Sequence, residues 1–490
     1  MNTTTLATGR PGLRIRPGVI LATCCLSLFI VGVDVTIVNI ALPSIQRSFS
    51  ASIGGLQWTV DAYTLVLASL LMLSGSLADR FGRRRVFQTG LLLFTIGSLL
   101  CSLAPGLGWL VGFRMLQAVG GSMLNPVAMA IIVNTFTEPA RRARAVGVWG
   151  SVMGLSLAAG PVLGGVLVSA VGWRAIFWVN VPVGLAAIVL TRRYVPESRA
   201  ARPRRLDPVA QCLIIVLLAG LTAGIIEGPR HGWGSPLIVG CFLAALLAGI
   251  GVVVTELHRR EPLIDLRFFA SAPFSGATVI ALTAFAAMGG FLFLNTLYLQ
   301  IARGYSPVLA GLLILPMAAA TATASPLSGR LVAAGRGRWA LVLAGTAIAA
   351  AAGVLITLSP ATPVAELVVV YAVFGIGFGL VNPPISNTAV SGMPAAQAGV
   401  AASVASTSRQ VGSALGVAIT GTLIAGHAAA GFTAASHHGW TVIAACGLAV
   451  VLTGLASTSR WARRSAQRTH DLLIAPPAES HAHDHTPAAT

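Results

Sequence analysis

Along the chain, apolar runs of about twenty residues alternate with short polar breaks, the length at which a helix crosses a bilayer. Fourteen runs can be marked: 18–40, 56–78, 86–104, 107–134, 144–170, 174–194, 207–226, 235–257, 273–300, 307–331, 337–358, 364–390, 399–426 and 437–457. The first exceeds the core of a signal peptide and others follow it, so it reads as a retained helix. The pattern predicts an all-α integral membrane protein whose even number of spans puts both termini on one side.

Charge supports that count. All 32 Lys+Arg residues are arginine, and nearly all fall in the breaks. Alternate loops carry Arg10, Arg14 and Arg16; Arg80 and Arg83 to Arg85; Arg141, Arg142 and Arg144; Arg192 to Arg205; Arg259, Arg260 and Arg267; Arg330, Arg336 and Arg338; and Arg460 to Arg468. The intervening loops hold only Arg47, Arg174, Arg230 and Arg303. The positive-inside bias makes the first set, and both termini, cytoplasmic. Only 9% of residues are charged, against about 25% in a soluble domain. The net charge of +18 is therefore a topology signal, and no nucleic-acid partner is expected. The six cysteines lie inside spans without metal-ligand spacing and read as small packing residues.

The chain also repeats itself. Ser74-Gly75-Ser76-Leu77 returns as Ser328-Gly329-Arg330-Leu331, Asn125-Pro126 as Asn382-Pro383, and Gly147, Gly160 and Gly164 as Gly399, Gly412 and Gly416. Parallel repeats of this kind are one plan for secondary transporters. The expected domains are a cytoplasmic segment 1–17, a six-helix bundle 18–194, an Arg/Pro-rich linker 195–206 and two inserted helices 207–257. A second six-helix bundle at 273–457 and a polar, disordered tail 458–490 follow. The tail ends in His481-Ala482-His483-Asp484-His485, which reads as solvated chain in preference to a metal site.

Gly75 to Arg85 forms a densely charged joint between two spans. Gly75 and Gly82 would let helix ends approach. Asp79 is a lone carboxylate among Arg80, Arg83 and Arg84, placed to pair or release. Within the spans, ionisable groups are few and each costs energy, about 2.5–3.5 kcal/mol on insertion scales. Asp34 lies at membrane depth, a proton-coupling or cation-recognition acid or else a structural hydrogen-bonding one. Asp61 lies nearer the external mouth, where it either gathers protons or cations or is simply solvated in an aromatic belt. Beside it, Trp58 and Tyr63 offer faces to a cation. Arg114 needs a partner or a wet cavity and is placed to bias Asp34. Tyr371 occupies its position in the second repeat. Arg409 either lines the cavity or snorkels toward the cytoplasm. Gly154, Gly160, Pro161, Gly164 and Gly165 permit close packing and a bend against a helix of the other half. Asn39, Gln117, Asn125, Phe291, Asn295, Tyr298 and Asn382 complete the candidate lining of a mostly apolar cavity.

Several of these stretches resemble a known family. Gly75–Arg85 resembles the loop signature of the major facilitator superfamily. Val33-Asp34-Val35-Thr36-Ile37-Val38-Asn39-Ile40-Ala41-Leu42-Pro43 resembles the first-helix signature of its fourteen-helix drug:proton antiporters of the EmrB/QacA type. Arg114 to Gly121 resembles the fourth-helix arginine motif, and Gly154 to Gly165 the fifth-helix antiporter motif. Trp173-Arg174 through Asn180-Val181-Pro182-Val183-Gly184 is similar to the same branch. The resemblance spans residues 18–457. It implies a major facilitator fold, antiport, and an Asp79 that locks one state by pairing with the facing half. The second loop departs from the pattern with Ala333 in place of Asp79. The tenth and thirteenth apolar runs, 307–331 and 399–426, carry no carboxylate, which speaks against dications as substrates.

The expectation is a proton-coupled exporter of lipophilic or amphipathic compounds such as antibiotics, in a bacterial plasma membrane, working as a monomer. No cofactor is expected beyond the proton gradient, since the phosphate-binding loop GxxxxGK[ST] is absent. The rival readings are a carrier of a single metabolite, by export or symport, and a membrane enzyme or sensor, for which neither a catalytic constellation nor a soluble domain is found.

Overall fold

A computed structural model describes residues 16–200, 207–259, 265–394, 397–427 and 431–474. The helices are α1 (Pro17–Phe49), α2 (Ile53–Phe81), α3 (Arg83–Ser102), α4 (Leu107–Thr135), α5 (Pro139–Ala170), α6 (Ala175–Trp178) and α7 (Asn180–Tyr194). They continue as α8 (Pro208–His231), α9 (Pro236–His258), α10 (Ala272–Leu297), α11 (Pro307–Ala333), α12 (Gly337–Leu355), α13 (Val364–Val390), α14 (Ala398–Gly426), α15 (Phe432–Ser457) and α16 (Arg460–Ile474). Counting α6 and α7 as one segment, thirteen are long and apolar enough to cross a membrane. The remaining predicted run, 399–426, is the helix α14, which is not among the thirteen and carries Arg409, Gln410 and several serines and threonines.

Local chemistry fixes many helix starts. Asp207, Ser235 and Ser306 each accept a backbone N–H of the first turn, and each precedes a proline at the first helical position. The cap satisfies an orphan donor, and proline loses no hydrogen bond there. The sixth span is broken at Val179, and α10 ends in a π-turn over Tyr298–Ala302.

The two halves repeat one another in packing as well as in sequence. α1 packs on α5, α2 on α4 and α3 on α7; correspondingly α10 packs on α14, α11 on α13 and α12 on α15. The halves meet along two seams, α2 with α14 and α5 with α11. Both are tight at the end where the loops are poor in arginine. Gln57 donates to the Ala418 carbonyl at 2.6 Å, and Gln300 donates to the Ile40 carbonyl at 2.9 Å. A Cβ on Gly165 would stand 2.5 Å from the Pro307 carbonyl oxygen, and Gly311 lies against the Pro161 carbonyl. At the arginine-rich end the α5–α11 seam is open: Cβ atoms on Gly147, Gly150, Gly154 and Gly329 would meet nothing within 4 Å.

The inserted pair has a definite place. α8 lies along the α2–α14 seam and bonds to both halves. Gln211 donates to the Ser69 carbonyl at 2.6 Å, Trp58 to Glu227 at 2.8 Å, and Thr422 to the Ile225 carbonyl at 2.9 Å. α9 covers α8 from outside, leaving an apolar groove of about 550 Å³ between them, lined by Leu217, Leu221, Phe242 and Leu246.

Three expectations change. The polar tail is not disordered from residue 458, since α16 docks on the second half. Ser465 accepts the Ala272 N–H at 2.9 Å, Ala462 is buried, and His470 sits 3.1 Å from the Gly392 carbonyl. The helix forms because it buries Ala462, Ala466 and Thr469 on one face while its arginines stay wet. Gly75 does not mark a close approach; a Cβ there would meet nothing within 4 Å. Within the glycine motif, Gly160 and Gly164 pack on α1 of their own half, against Thr36 and Ile37, and only Pro161 and Gly165 face α11. Residues 1–15, half of the linker (201–206) and the histidine-rich tail lie outside the described residues.

Gly165→Leu should force α5 and α11 apart and cost about 1–3 kcal/mol by overpacking. Gly154→Leu, facing open space in this state, should stay within about 0.5 kcal/mol. Thermal unfolding of the two variants in detergent checks the difference, and equal losses would contradict the packing described.

Candidate functional site

The site is built on the middle of α1, where Asp34 is fully buried. A carboxylate here must be paired or it would not be tolerated in hydrocarbon. Arg114 of α4, 1% exposed, donates from Nη1 to Asp34 Oδ2 at 2.5 Å. The same Nη1 donates to Gln117 Oε1 at 2.8 Å. Gln117 Nε2 and Asn180 Nδ2 donate to Asp34 Oδ1 at 2.8 and 2.9 Å. Ser98 Oγ joins these two amides, accepting at 2.6 and 3.1 Å. Four transmembrane segments, α1, α3, α4 and α7, thus meet in one network around the carboxylate.

Arg114 has further contacts in reserve. Its Nε points to the Thr59 carbonyl at 3.4 Å, and its Cζ lies 4.1 Å above the Tyr63 ring. The aromatic face expected to receive a foreign cation is therefore covered by the protein's own guanidinium. A proton on Asp34 would turn one oxygen into an O–H donor that faces the donors now bonded to it, Arg114 at Oδ2 or Gln117 and Asn180 at Oδ1. Protonation of Asp34 must therefore rearrange the network.

Elsewhere the structure sorts the predicted residues. Asp61 is not solvated: it is wholly buried, and neither oxygen has a hydrogen-bond partner among the described residues. It lies one turn beyond Gln57 on the face of α2 that meets α14. Trp58 is committed to Glu227 of α8. Asn39 donates to the Val35 carbonyl at 3.1 Å and leaves its Oδ1 unmet. Asn125 and Asn382, related by the repeat, are half-buried. Asn125 Oδ1 lacks a partner among the described residues.

Three candidate lining residues prove to be packing groups of the second half. Phe291 is fully buried, stacked on Phe374 at 4.3 Å and edge-on to Tyr371 and Trp440. Asn295 accepts a hydrogen bond from Tyr371. Tyr298 caps the arginine-poor end, donating to the Ser359 carbonyl at 2.6 Å and accepting from Arg303. The repeat explains them. Residues 257 positions after Asp34, Arg114 and Gln117 are Phe291, Tyr371 and Phe374, so an aromatic cluster stands where the first half has its polar one.

The charged joint is fastened to its own half. Asp79 pairs with Arg83 at 3.0 Å, not with the facing bundle. Gly82 has φ 111°, and a Cβ there would stand 2.5 Å from Glu197 Oε1. Glu197 accepts the Arg84 N–H at 3.1 Å and approaches Arg85 at 3.7 Å; Arg84 also donates to the Arg192 carbonyl at 2.8 Å. Arg80 is exposed, its guanidinium 5.8 Å from the Phe81 ring. Arg409 donates to Ser386 Oγ at 2.7 Å.

Three contributors were missed. Asn180 begins α7 just after the break at Val179, and a polar residue at such a break was the available signal. Glu197 is the lone acid in the arginine-dense stretch 192–205, and that isolation was the available signal. Ser98, one serine in an apolar span, gave no signal.

Residues 24–417 match the sequence pattern described as Major Facilitator Superfamily. The chain belongs to this superfamily. It is 38% identical over 401 residues to the multidrug resistance protein Stp of Mycobacterium tuberculosis, covering 82% of this chain and 74% of that one. It is 37% identical to the tetracenomycin C resistance and export protein of Streptomyces glaucescens, covering 84% and 77%. Its fold matches a bacterial homologue of the lysosomal transporter Spinster in an inward-facing, unoccupied conformation, with a TM-score of 0.63 at 18% identity over 94% and 99% of the two chains. It is a multi-pass membrane transporter of the superfamily.

Asp34→Asn and Arg114→Gln should each cost about 3–5 kcal/mol, because each leaves its partner buried and unpaired. The double variant should lose less than the sum by about 1–3 kcal/mol. A double-mutant cycle by thermal unfolding measures this; additive losses would mean that the two do not act as a pair.

Proposed function

We infer that the chain is a proton-coupled exporter of lipophilic or amphipathic small molecules, antibiotics among them, and that it works by alternating access. The observation that carries this reading is the buried Asp34–Arg114 pair, whose carboxylate meets donors alone. The names of its relatives, a multidrug resistance protein and an antibiotic export protein, support the substrate class.

By the positive-inside bias, the arginine-rich end is cytoplasmic. The state described is then closed outside along both seams and open inside between α5 and α11. In it Asp34 is ionised and held. When a proton reaches Asp34 from the outward-facing state, Arg114 loses its counter-charge. The Thr59 carbonyl, the Tyr63 face and Gln117 Oε1 are placed to hold the guanidinium meanwhile. Reforming the pair on the cytoplasmic side expels the proton inward. The proton thus selects which arrangement of the α1–α4 core is stable, and the bundle follows. Asp61, buried between α2 and α14 with no hydrogen-bond partner among the described residues, suits a protonated acid in this closed seam and is a second carrier of protons.

The inward proton is driven by the membrane potential, about 2.3 kcal/mol per charge per 100 mV. One charge supports a substrate gradient of about fifty-fold, since 1.4 kcal/mol is tenfold. No cofactor enters this cycle, and carriage in place of catalysis is the reading. A monomer suffices on this reading, because the proton site and both halves that rock about it lie in one chain.

In proteoliposomes, Asp34→Asn should lose dye and antibiotic export driven by a pH gradient while binding the same compounds. Undiminished gradient-driven export by the variant would remove Asp34 from the mechanism. A panel in which only one metabolite moved would favour a dedicated carrier.

A further inference from the structure

The second half treats its one membrane-embedded arginine differently from the first. From Ala272 to Ser457 the sequence holds a single acidic residue, Glu366. That residue sits in the first turn of α13, at the arginine-poor end. Arg409 is eleven residues into α14 from its arginine-rich end, about 16 Å along the helix axis. Among the described residues no carboxylate pairs with it. Its one hydrogen-bond partner there is the Ser386 hydroxyl at 2.7 Å, and its Nε is buried with nothing to donate to. A guanidinium has five donors and no acceptor, so most of its capacity is unspent. Arg114, by contrast, is consumed by Asp34 and Gln117.

The surroundings favour one kind of guest. Ser386 and Asn382 lie one turn apart on the same face of α13. The Phe285 ring lies 5.9 Å from the guanidinium and packs edge-on to Phe378 at 5.0 Å. The cluster therefore offers a cation and uncharged hydrogen-bonding groups next to an aromatic wall, with no carboxylate to repel an anion. An unpaired cation inside a span is costly and is retained where it serves a ligand or a path.

We propose that Arg409, with Ser386 and Asn382, recognises the acidic group, a carboxylate or acidic phenol, of an otherwise apolar transported molecule. This rests on the export reading but sharpens it: among amphipathic compounds, monoanions are preferred to cations. The guanidinium clamps the acidic oxygens, where charge-assisted bonds are stronger than neutral ones, and Phe285 and Phe378 take the apolar body.

Two xanthene dyes separate charge from shape: fluorescein methyl ester as the anion and rhodamine 123 as the cation. Their affinity for the purified full chain in phosphatidylcholine nanodiscs is read by fluorescence anisotropy, with no proton gradient present. Binding is therefore scored even if gradient-driven export fails, which would count against the proposed function alone. The wild type should bind the anion at least about tenfold more tightly than the cation. Arg409→Gln should erase that preference by weakening the anion alone, and Arg409→Lys should keep most of it. Arg409→Gln should not lower the melting temperature, because no buried carboxylate loses its partner. A drop in melting temperature without change in the dye preference would assign Arg409 to structure and overturn the proposal. A wild type that prefers the cation would do the same. Adding phosphatidylglycerol distinguishes a lipid phosphate as the guest: displacement of the anionic dye by that lipid, with no anion transport in vesicles, would also overturn it.

Discussion

The structure turns on one ion pair placed where ions are least at home. Taking Asp34 and Arg114 out of water costs several kcal/mol per ion, and their attraction repays it only with good geometry and further hydrogen bonds. Gln117, Asn180 and Ser98 supply those bonds, and each comes from a helix that must be in register for the donors to converge. The pair adds little net stability over a well-packed apolar core. Its consequence is bistability: the network is complete with Asp34 ionised and broken with it protonated. A proton can therefore act on helix packing from a single point.

The second half shows what the same framework looks like without that task. At the repeat-related positions, Phe291, Tyr371 and Phe374 fill the space by aromatic packing. Such a cluster has no titratable partner pair and one preferred arrangement. On the proposed reading the two halves divide the work: the first carries the proton-sensitive core, and the second is the aromatic-packed body against which it rocks. α8 adds to the asymmetry by bonding across the α2–α14 seam, so movement between the halves at the arginine-rich end is freer along α5–α11.

Much of this was legible in the sequence because the bilayer imposes it. Span length, arginine bias and the repeat marked the thirteen apolar helices and the position of α14. Asp34 and Arg114 stood out since an ionisable residue in hydrocarbon needs a reason. Their pairing was harder to read, being a contact between residues 80 apart that no local pattern encodes. Side-chain direction was harder still. Polar and aromatic residues such as Tyr298, Asn295 and Trp58 read equally as cavity lining or as helix-to-helix bonds, and the structure makes them the latter. The Asp79 lock is not made in this structure: Asp79 pairs with Arg83 of its own half, at the end where the α5–α11 seam is open. α16 was missed because its arginines mask the narrow buried stripe of Ala462, Ala466 and Thr469.

The central claim is that protonating Asp34 releases Arg114. Infrared difference spectra recorded through an acid titration, for wild type and Asp34→Asn, observe both groups at once. The account predicts that a protonated carboxyl band appears together with a shift of the guanidinium bands, and that both changes vanish in the variant. A carboxyl band from Asp34 that rises while the guanidinium bands stay unmoved would contradict it.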